Sequence, residues 1–231
     1  MRIKTSNKLL LGYFGITLIV IATTIVLGSS DELYESNSGN SKANENAEIK
    51  SEKMDAFSVL HIAKGLHVNL SSGDEFEILR INYPNDTSVV LIEYKVENDT
   101  CYVIQWNRNG MNHAELKTKN LNSVIVESDA KLNMGVFTQD SLSVTLESSH
   151  LYTLSNGFNV KELSLQANAG AIAKIHGVSD LKVNAENSKV DVLTSLILIE
   201  GALKGNTQIK LNKGASRLNV SKSHDSKLIL H

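Results

Sequence analysis

Leu181-Lys182-Val183-Asn184-Ala185-Glu186-Asn187-Ser188-Lys189-Val190-Asp191-Val192 is the stretch whose reading decides how this chain folds. Apolar residues two apart put Leu181 and Val183 on one face of a strand and Lys182 on the other. A short polar gap follows, and Ser188 then leads to a second apolar pair, Val190 and Val192. The same double pair recurs on both sides. First pairs stand at Val124/Val126, Val144/Leu146, Leu163/Leu165, Leu181/Val183, Ile199/Gly201 and Leu218/Val220, their starts separated by 20, 19, 18, 18 and 19 residues. Second pairs stand at Leu132/Met134, Tyr152/Leu154, Ala173/Ile175, Val190/Val192, Ile209/Leu211 and Leu228/Leu230, spaced by 20, 21, 17, 19 and 19. Only Gly201 among these positions lacks an apolar side chain.

Self-similarity at this period, with strand rather than helix spacing inside it, marks a solenoid. The expected fold is all-β: a right-handed parallel β-helix of about six rungs of 17–21 residues, with a vaguer third strand around Val136, Val160, Val178 and Leu196. Asn156-Gly157 and the glycines at 135, 170, 177, 205 and 214 fall between strands as turn signals. An antiparallel sandwich is the alternative, but it has no reason to keep two ladders in step.

Working outward, residues 54–120 read as an N-terminal β region leading into the repeats of residues 121–231, the two forming one β-solenoid domain over residues 54–231. Alternation at Phe57/Val59, Leu66/Val68/Leu70 and Phe76/Ile78 predicts strands, the last two joined as a hairpin by Ser71-Ser72-Gly73-Asp74. Val89 to Val96 and Cys101 to Trp106 predict two more strands, joined at Glu97-Asn98-Asp99-Thr100. Ile104/Trp106 lies 20 residues before Val124/Val126 and reads as a candidate first rung. Phe57 to Trp106 is expected to cover the starting end of the coil, since an open end exposes core and unpaired strand edges. The last rung is expected to lie open, which makes it a candidate surface for an oligomer.

Before the solenoid, residues 1–8 hold Arg2, Lys4 and Lys8 and no acid, and read as a cytoplasmic tail. Residues 9–28 begin with an uncharged, proline-free run from Leu9 to Leu27, near the lower length for a transmembrane helix. The cationic flank sets the N-terminus in the cytoplasm and the remainder outside. A cleaved signal peptide ending after Gly28 is the alternative, but no A-x-A-like site is present. Residues 29–53, rich in Ser, Asn, Glu and Lys, read as a flexible linker with a reach of roughly 25–30 Å. The expected localisation is the bacterial cytoplasmic (inner) membrane, single-pass, with the C-terminal domain extracytoplasmic.

The opening Phe57-Ser58-Val59-Leu60-His61-Ile62-Ala63-Lys64-Gly65-Leu66-His67-Val68-Asn69-Leu70-Ser71-Ser72-Gly73-Asp74 resembles the start of a bacterial family known as putative auto-transporter adhesin, head GIN domain. Gly170-Ala171 and Gly214-Ala215-Ser216 resemble that family's turns. The resemblance spans residues 56 to 231 and implies an exported right-handed β-helix with no established activity and no catalytic residues to carry over. Asn187-Ser188 and Asn206-Thr207 depart from the Gly-Ala or Gly-Ser expected at those turns, and the N-terminal anchor departs from the cleaved leader.

Composition narrows the function classes. The formal net charge of −2 gives no footprint for nucleic acid. The single cysteine, Cys101, excludes an internal disulfide and a multi-thiolate metal site. None of the seven histidines stands at metal-ligand spacing, so neither metal nor cofactor is expected. Nucleophile-elbow, phosphate-loop and dinucleotide motifs are absent from the sequence. The outward positions of the second ladder read Lys131, Leu151, Ile172, Lys189, Gln208, Lys227 in one column and Asn133, Thr153, Lys174, Asp191, Lys210, Ile229 beside it. Lys174, Lys189, Asp191 and Lys210 therefore form a candidate ligand strip for an acidic glycan. Asp191 is the sole carboxylate in these columns, so it lacks the partner that glycan hydrolysis uses. The expected function is a non-enzymatic binding, adhesion or scaffold module of the cell envelope, with a glycan or an envelope protein as partner. A glycan-active enzyme on the same scaffold and an envelope-stress sensor are the alternatives.

Overall fold

The computed structural model describes residues 47–107 and 110–230. They form an all-β unit with no α-helix, so none long and apolar enough to cross a membrane occurs among them. The expected anchor at residues 9–28 and most of the expected linker lie outside the described residues.

The repeat half confirms the solenoid. Strands β8 (Ser123–Val126), β10 (Phe137–Glu147), β12 (Phe158–Asn168), β14 (Val178–Glu186), β16 (Leu196–Lys204) and β18 (Ala215–Lys222) pair in parallel as one sheet. Strands β9 (Lys131–Met134), β11 (His150–Thr153), β13 (Ile172–Ile175), β15 (Lys189–Val192), β17 (Gln208–Leu211) and β19 (Lys227–Leu230) pair in parallel as a second. The chain alternates between the sheets, so each pair is one of six consecutive coils. Val124, Val144, Leu165 and Val183 stack inward on one sheet, and Leu132, Leu151, Ala173 and Val190 on the other, none more than 1% exposed. Each fully buried Val or Leu contributes on the order of 1.5–3 kcal/mol, so this double column is the main stabilising element.

The expected third strand is present as the first part of the long strands, with Val160, Val178 and Leu196 buried; in β10 it begins at Phe137 instead and leaves Val136 59% exposed. In β12, Phe158 and Val160 face inward, Lys161 and Glu162 both face out, and Leu163 resumes the inward alternation. Two consecutive outward residues turn a corner without ending the strand. Phe137 and Phe158 line this third side, stacked 6.2 Å apart. On the opposite corner the backbone enters the left-handed region at Asp129, Ser148, Ala169, Asn187 and Gly205. A small side chain follows and is buried: Ala130, Ser149, Ala171, Ser188, Thr207 and then Ser226. The Ser149 hydroxyl donates to the Val126 carbonyl at 3.0 Å and Ser188 to Ala167 at 3.0 Å, tying these two corners to the coil before. Asn187-Ser188 and Asn206-Thr207 are thus the same corner built without Gly-Ala: Asn187 itself takes the positive φ, Gly205 takes it ahead of Asn206, and in both a hydroxyl fits where alanine would.

Two registers differ from those expected. Val144 pairs with Leu165, and Leu163 with Leu142, two residues away from the predicted match. The inward run Leu163, Leu165, Ala167 is three residues long, and a slip of two keeps every side chain on its face. In β11 the slip is one residue. Leu151 and Thr153 face inward, while Leu154 is 56% exposed.

The N-terminal region is wound differently from the prediction. β1 (Glu48–Lys53), β2 (Val59–Ile62), β3 (His67–Ser72), β4 (Glu77–Asn82), β5 (Ile92–Glu97), β6 (Thr100–Trp106) and β7 (His113–Thr118) precede the repeats. The rung next to β8 and β9 is β2 and β3, not Ile104/Trp106: Leu60 pairs with Val124 and Val68 with Leu132. β6 and β7 form the next rung outward, with Cys101 and Val103 facing in and Ile104 exposed. The chain therefore passes over its own first rung between Thr118 and Ser123. Gln139 fastens that crossing, its amide accepting from Leu121 N at 3.2 Å and donating to Leu121 O at 2.8 Å. β3 and β4 make no hairpin, because β7 lies between them. β5 and β6 do, with positive φ at Asn98 and Asp99 as a two-residue hairpin turn demands. β4 and β5 add antiparallel to β7 and β6 and cover the starting end, where Trp106 and Phe57 are buried. The last residues of the expected linker form β1, paired with β4; all six are exposed, and four are charged, which suits a sheet edge that must not recruit another strand. At the other end, Leu218 and Leu230 of the last described rung are 43% and 56% exposed.

Candidate functional site

Parallel in-register coils bring residues far apart in sequence to steps of about 4.8 Å. On the outer face of the ten-stranded sheet, Lys174 stands opposite Asp191 and Asp191 opposite Lys210. Lys189 stands one column over, its Nζ 3.8 Å from Asp191 Oδ2. The four strip residues predicted from sequence are therefore brought together. The Asp191 side chain is only 15% exposed, and its Oδ1 has no hydrogen-bond partner among the described residues. Lys174 and Lys189 are exposed and Lys210 half-buried, so three ammonium groups surround one recessed carboxylate.

The one-residue correction in β11 changes the rest of the strip. The columns read Lys131, His150, Ile172, Lys189, Gln208, Lys227, and Asn69, Asn133, Tyr152, Lys174, Asp191, Lys210, Ile229. Leu151, predicted to face out, is buried. Tyr152, predicted inward, stands outside, directly opposite Lys174 and half-buried. His150 meets it edge-on, with ring centroids 6.0 Å apart. Burial, and then the Lys131 charge, pull the His150 pKa below its ordinary value. Asn133 donates to Asn69 Oδ1 at 3.0 Å, so an asparagine ladder extends the strip past the tyrosine. Sequence reasoning missed His150 and Tyr152. The signal was the small residue two positions before each inward pair: Ser149 leads to Leu151, as Ala130 leads to Leu132 and Ser188 to Val190.

Chemically the strip offers cations, an aromatic ring and amides in a row, which can hold an extended anionic chain. The next carboxylate along Asp191's column is Glu115 of β7, five strands away. That is about 24 Å, against the roughly 5–9.5 Å that separates paired glycosidase carboxylates. No group of three or more metal-capable side chains occurs among the described residues.

No family model and no curated protein matches this chain. Solved structures do. One described as a putative adhesin from Bacteroides fragilis has 11% identity and a TM-score of 0.50, over 82% of this chain and 99% of its own. Another putative adhesin, from Parabacteroides merdae, has 8% identity and a TM-score of 0.44, over 82% and 98%. A putative lipid binding protein from Parabacteroides distasonis has 10% identity and a TM-score of 0.42, over 82% and 98%. The Bacteroides protein shares the fold; at this identity the likeness extends no further.

Proposed function

We propose that this chain is a non-enzymatic binding module of the bacterial cell envelope, and that the strip from Tyr152 to Lys210 holds an acidic glycan along the coil axis. The observation that carries the reading is the uninterrupted register Tyr152, Lys174, Asp191, Lys210, with Lys189 beside it. An aromatic ring next to spaced cations suits a sugar chain bearing carboxylates or sulfates, since rings stack on the sugar faces while ammonium groups meet the charges. Asp191 acts here as a spacer that keeps the lysines apart and oriented. The Bacteroides relative in fold is called a putative adhesin, which accords with this reading. The adhesin family suggested by residues 57–74 accords with it too, and so does the right-handed coil that family has.

Residues 9–28 anchor the chain in the cytoplasmic membrane, and the solenoid stands on the extracytoplasmic side. The support is the uncharged run after a cationic flank. The last described rung is the contact for a second copy, because β18 and β19 each end a sheet and leave Leu218 and Leu230 exposed.

The test is binding of the full-length chain, kept soluble with a mild non-ionic detergent, to an array of acidic and neutral glycans at several salt concentrations. Changing Lys174, Lys189 and Lys210 together to Glu should weaken acidic-glycan binding at least tenfold, about 1.4 kcal/mol. Raising salt should weaken the unchanged protein likewise, since exposed charges more than about 8 Å apart are screened at 0.15 M. Acidic-glycan binding that ignores both changes would overturn the assignment.

A further inference from the structure

Gly201 is the one position of the first pairs that lacks an apolar side chain, and the structure shows what it does. It lies inside β16 with φ +141, and a Cβ there would sit 1.8 Å from the Val183 carbonyl oxygen. A glycine within a strand marks a bulge or a close approach of backbone or ligand. Here the consequence appears on the outer face of the nine-stranded sheet. Glu200 and Ala202 point outward yet are half-buried, whereas their register neighbours Lys182, Asn184, Asn219 and Ser221 are exposed. β16 is therefore sunk between β14 and β18, leaving a depression of about 410 Å³. The volume falls within the range of small-ligand sites.

The lining is polar in a particular way. Asn184 and Asn219 offer amides, Ser164 a hydroxyl, and none of these three side chains has a hydrogen-bond partner among the described residues. Ser221 donates to the Gly201 carbonyl at 3.2 Å, so that carbonyl is turned toward the depression. Lys182 is held between Glu162 and Glu200, 3.9 Å from each. Within the lining Lys182 and Glu200 carry one charge of each sign, so the depression is neutral and its single cation is already paired with carboxylates. Unpaired amide and hydroxyl groups on β12, β14 and β18, around the sunken β16, match a ligand with several hydroxyls that both donate and accept.

We infer that this depression is a second binding site, for an uncharged glycan, on a different sheet from the cationic strip. The inference does not depend on the acidic-glycan reading.

The test is saturation-transfer NMR on the full-length chain in detergent, using maltohexaose, cellohexaose and mannohexaose as neutral probes and hexagalacturonate as the acidic one. At least one neutral probe should show transfer that is insensitive to salt. Asn184→Ala with Asn219→Ala should reduce that transfer at least fivefold, while Lys174→Glu with Lys210→Glu should leave it unchanged. Both changes lie at surface positions, and circular dichroism on each variant checks that the coil persists. A Gly201→Ala variant that remains folded should lose the neutral probe as well. Absence of transfer from all three neutral probes overturns the inference, and so does transfer that survives the asparagine changes. The hexagalacturonate result reports separately on the cationic strip.

Discussion

Replacing Leu151 by alanine and, separately, Leu154 by alanine tests the phase of β11, on which the composition of the binding face depends. Leu151 is 0% exposed, stacked between Leu132 and Ala173, while Leu154 is 56% exposed. Either change removes three carbon atoms. At about 0.8 kcal/mol per buried methylene, the transfer loss at the buried site is roughly 2.4 kcal/mol. A cavity contribution adds to this, because the coils above and below are fixed by continuous ladders and cannot close the gap. The total comes to about 3 kcal/mol, inside the usual range for a buried leucine. At Leu154, half or less of that transfer loss applies and no enclosed cavity forms, so the cost is at most about 1 kcal/mol. For a domain of this size, 1 kcal/mol shifts Tm by about 2–4 °C. Thermal melts followed by circular dichroism should therefore show a fall of about 6–12 °C for Leu151→Ala and about 4 °C or less for Leu154→Ala. A larger fall for Leu154→Ala would refute the phase. Tyr152 and His150 would then point into the core, and the strip would lose its aromatic ring.

Three further outcomes are expected. The Asp86 carboxylate accepts from the Ser88 hydroxyl and from the backbone N–H groups of Ser88, Asn112 and Met111, and these bonds, with that from the Ser88 hydroxyl foremost, lower its pKa from 3.8 to about 2. A lowered folded-state pKa gives stability that is fully present above about pH 4 and lost as pH falls toward 2. Tm measured against pH should decline through that window, and Asp86→Asn should lower the pH 7 value and flatten the decline. The Cys101 thiol is fully buried, and burial pushes its pKa up to about 12, so it should stay unlabelled by iodoacetamide until the coil unfolds; rapid labelling of the native protein would show that β5 and β6 open. Sedimentation should show a concentration-dependent dimer that Leu218→Lys abolishes. A monomer at every concentration would remove the last rung from the list of contacts.

The solenoid was legible because inward positions must be apolar at every coil, and the period survives changes in residue type. What the sequence left open was the register within a coil. At Leu163, Leu165 and Ala167, three consecutive inward residues permit a slip of two that changes no face. At His150 to Leu154, both phases offer apolar residues, and the more apolar pair Tyr152/Leu154 was the wrong one. The hydroxyl of Ser149, buried at the corner and bonded to Val126, settles the phase physically. The order of the first rungs was illegible for a different reason. β2 pairs with β8 across some sixty residues, and no periodicity connects Leu60 with Val124. The lysines and Asp191 of the strip were found because their strands were read in phase; Tyr152 was missed because its strand was not. Gly201 was visible as an exception, but only the sunken backbone around it shows what the exception produces.

The most direct test of the proposed binding face is a map of amide shifts on adding hexagalacturonate to isotopically labelled protein. The account predicts changes concentrated at Tyr152, Lys174, Asp191 and Lys210, growing as salt is lowered and absent when Lys174, Lys189 and Lys210 are all changed to Glu. Changes centred on any other face, or none at millimolar ligand, would contradict it.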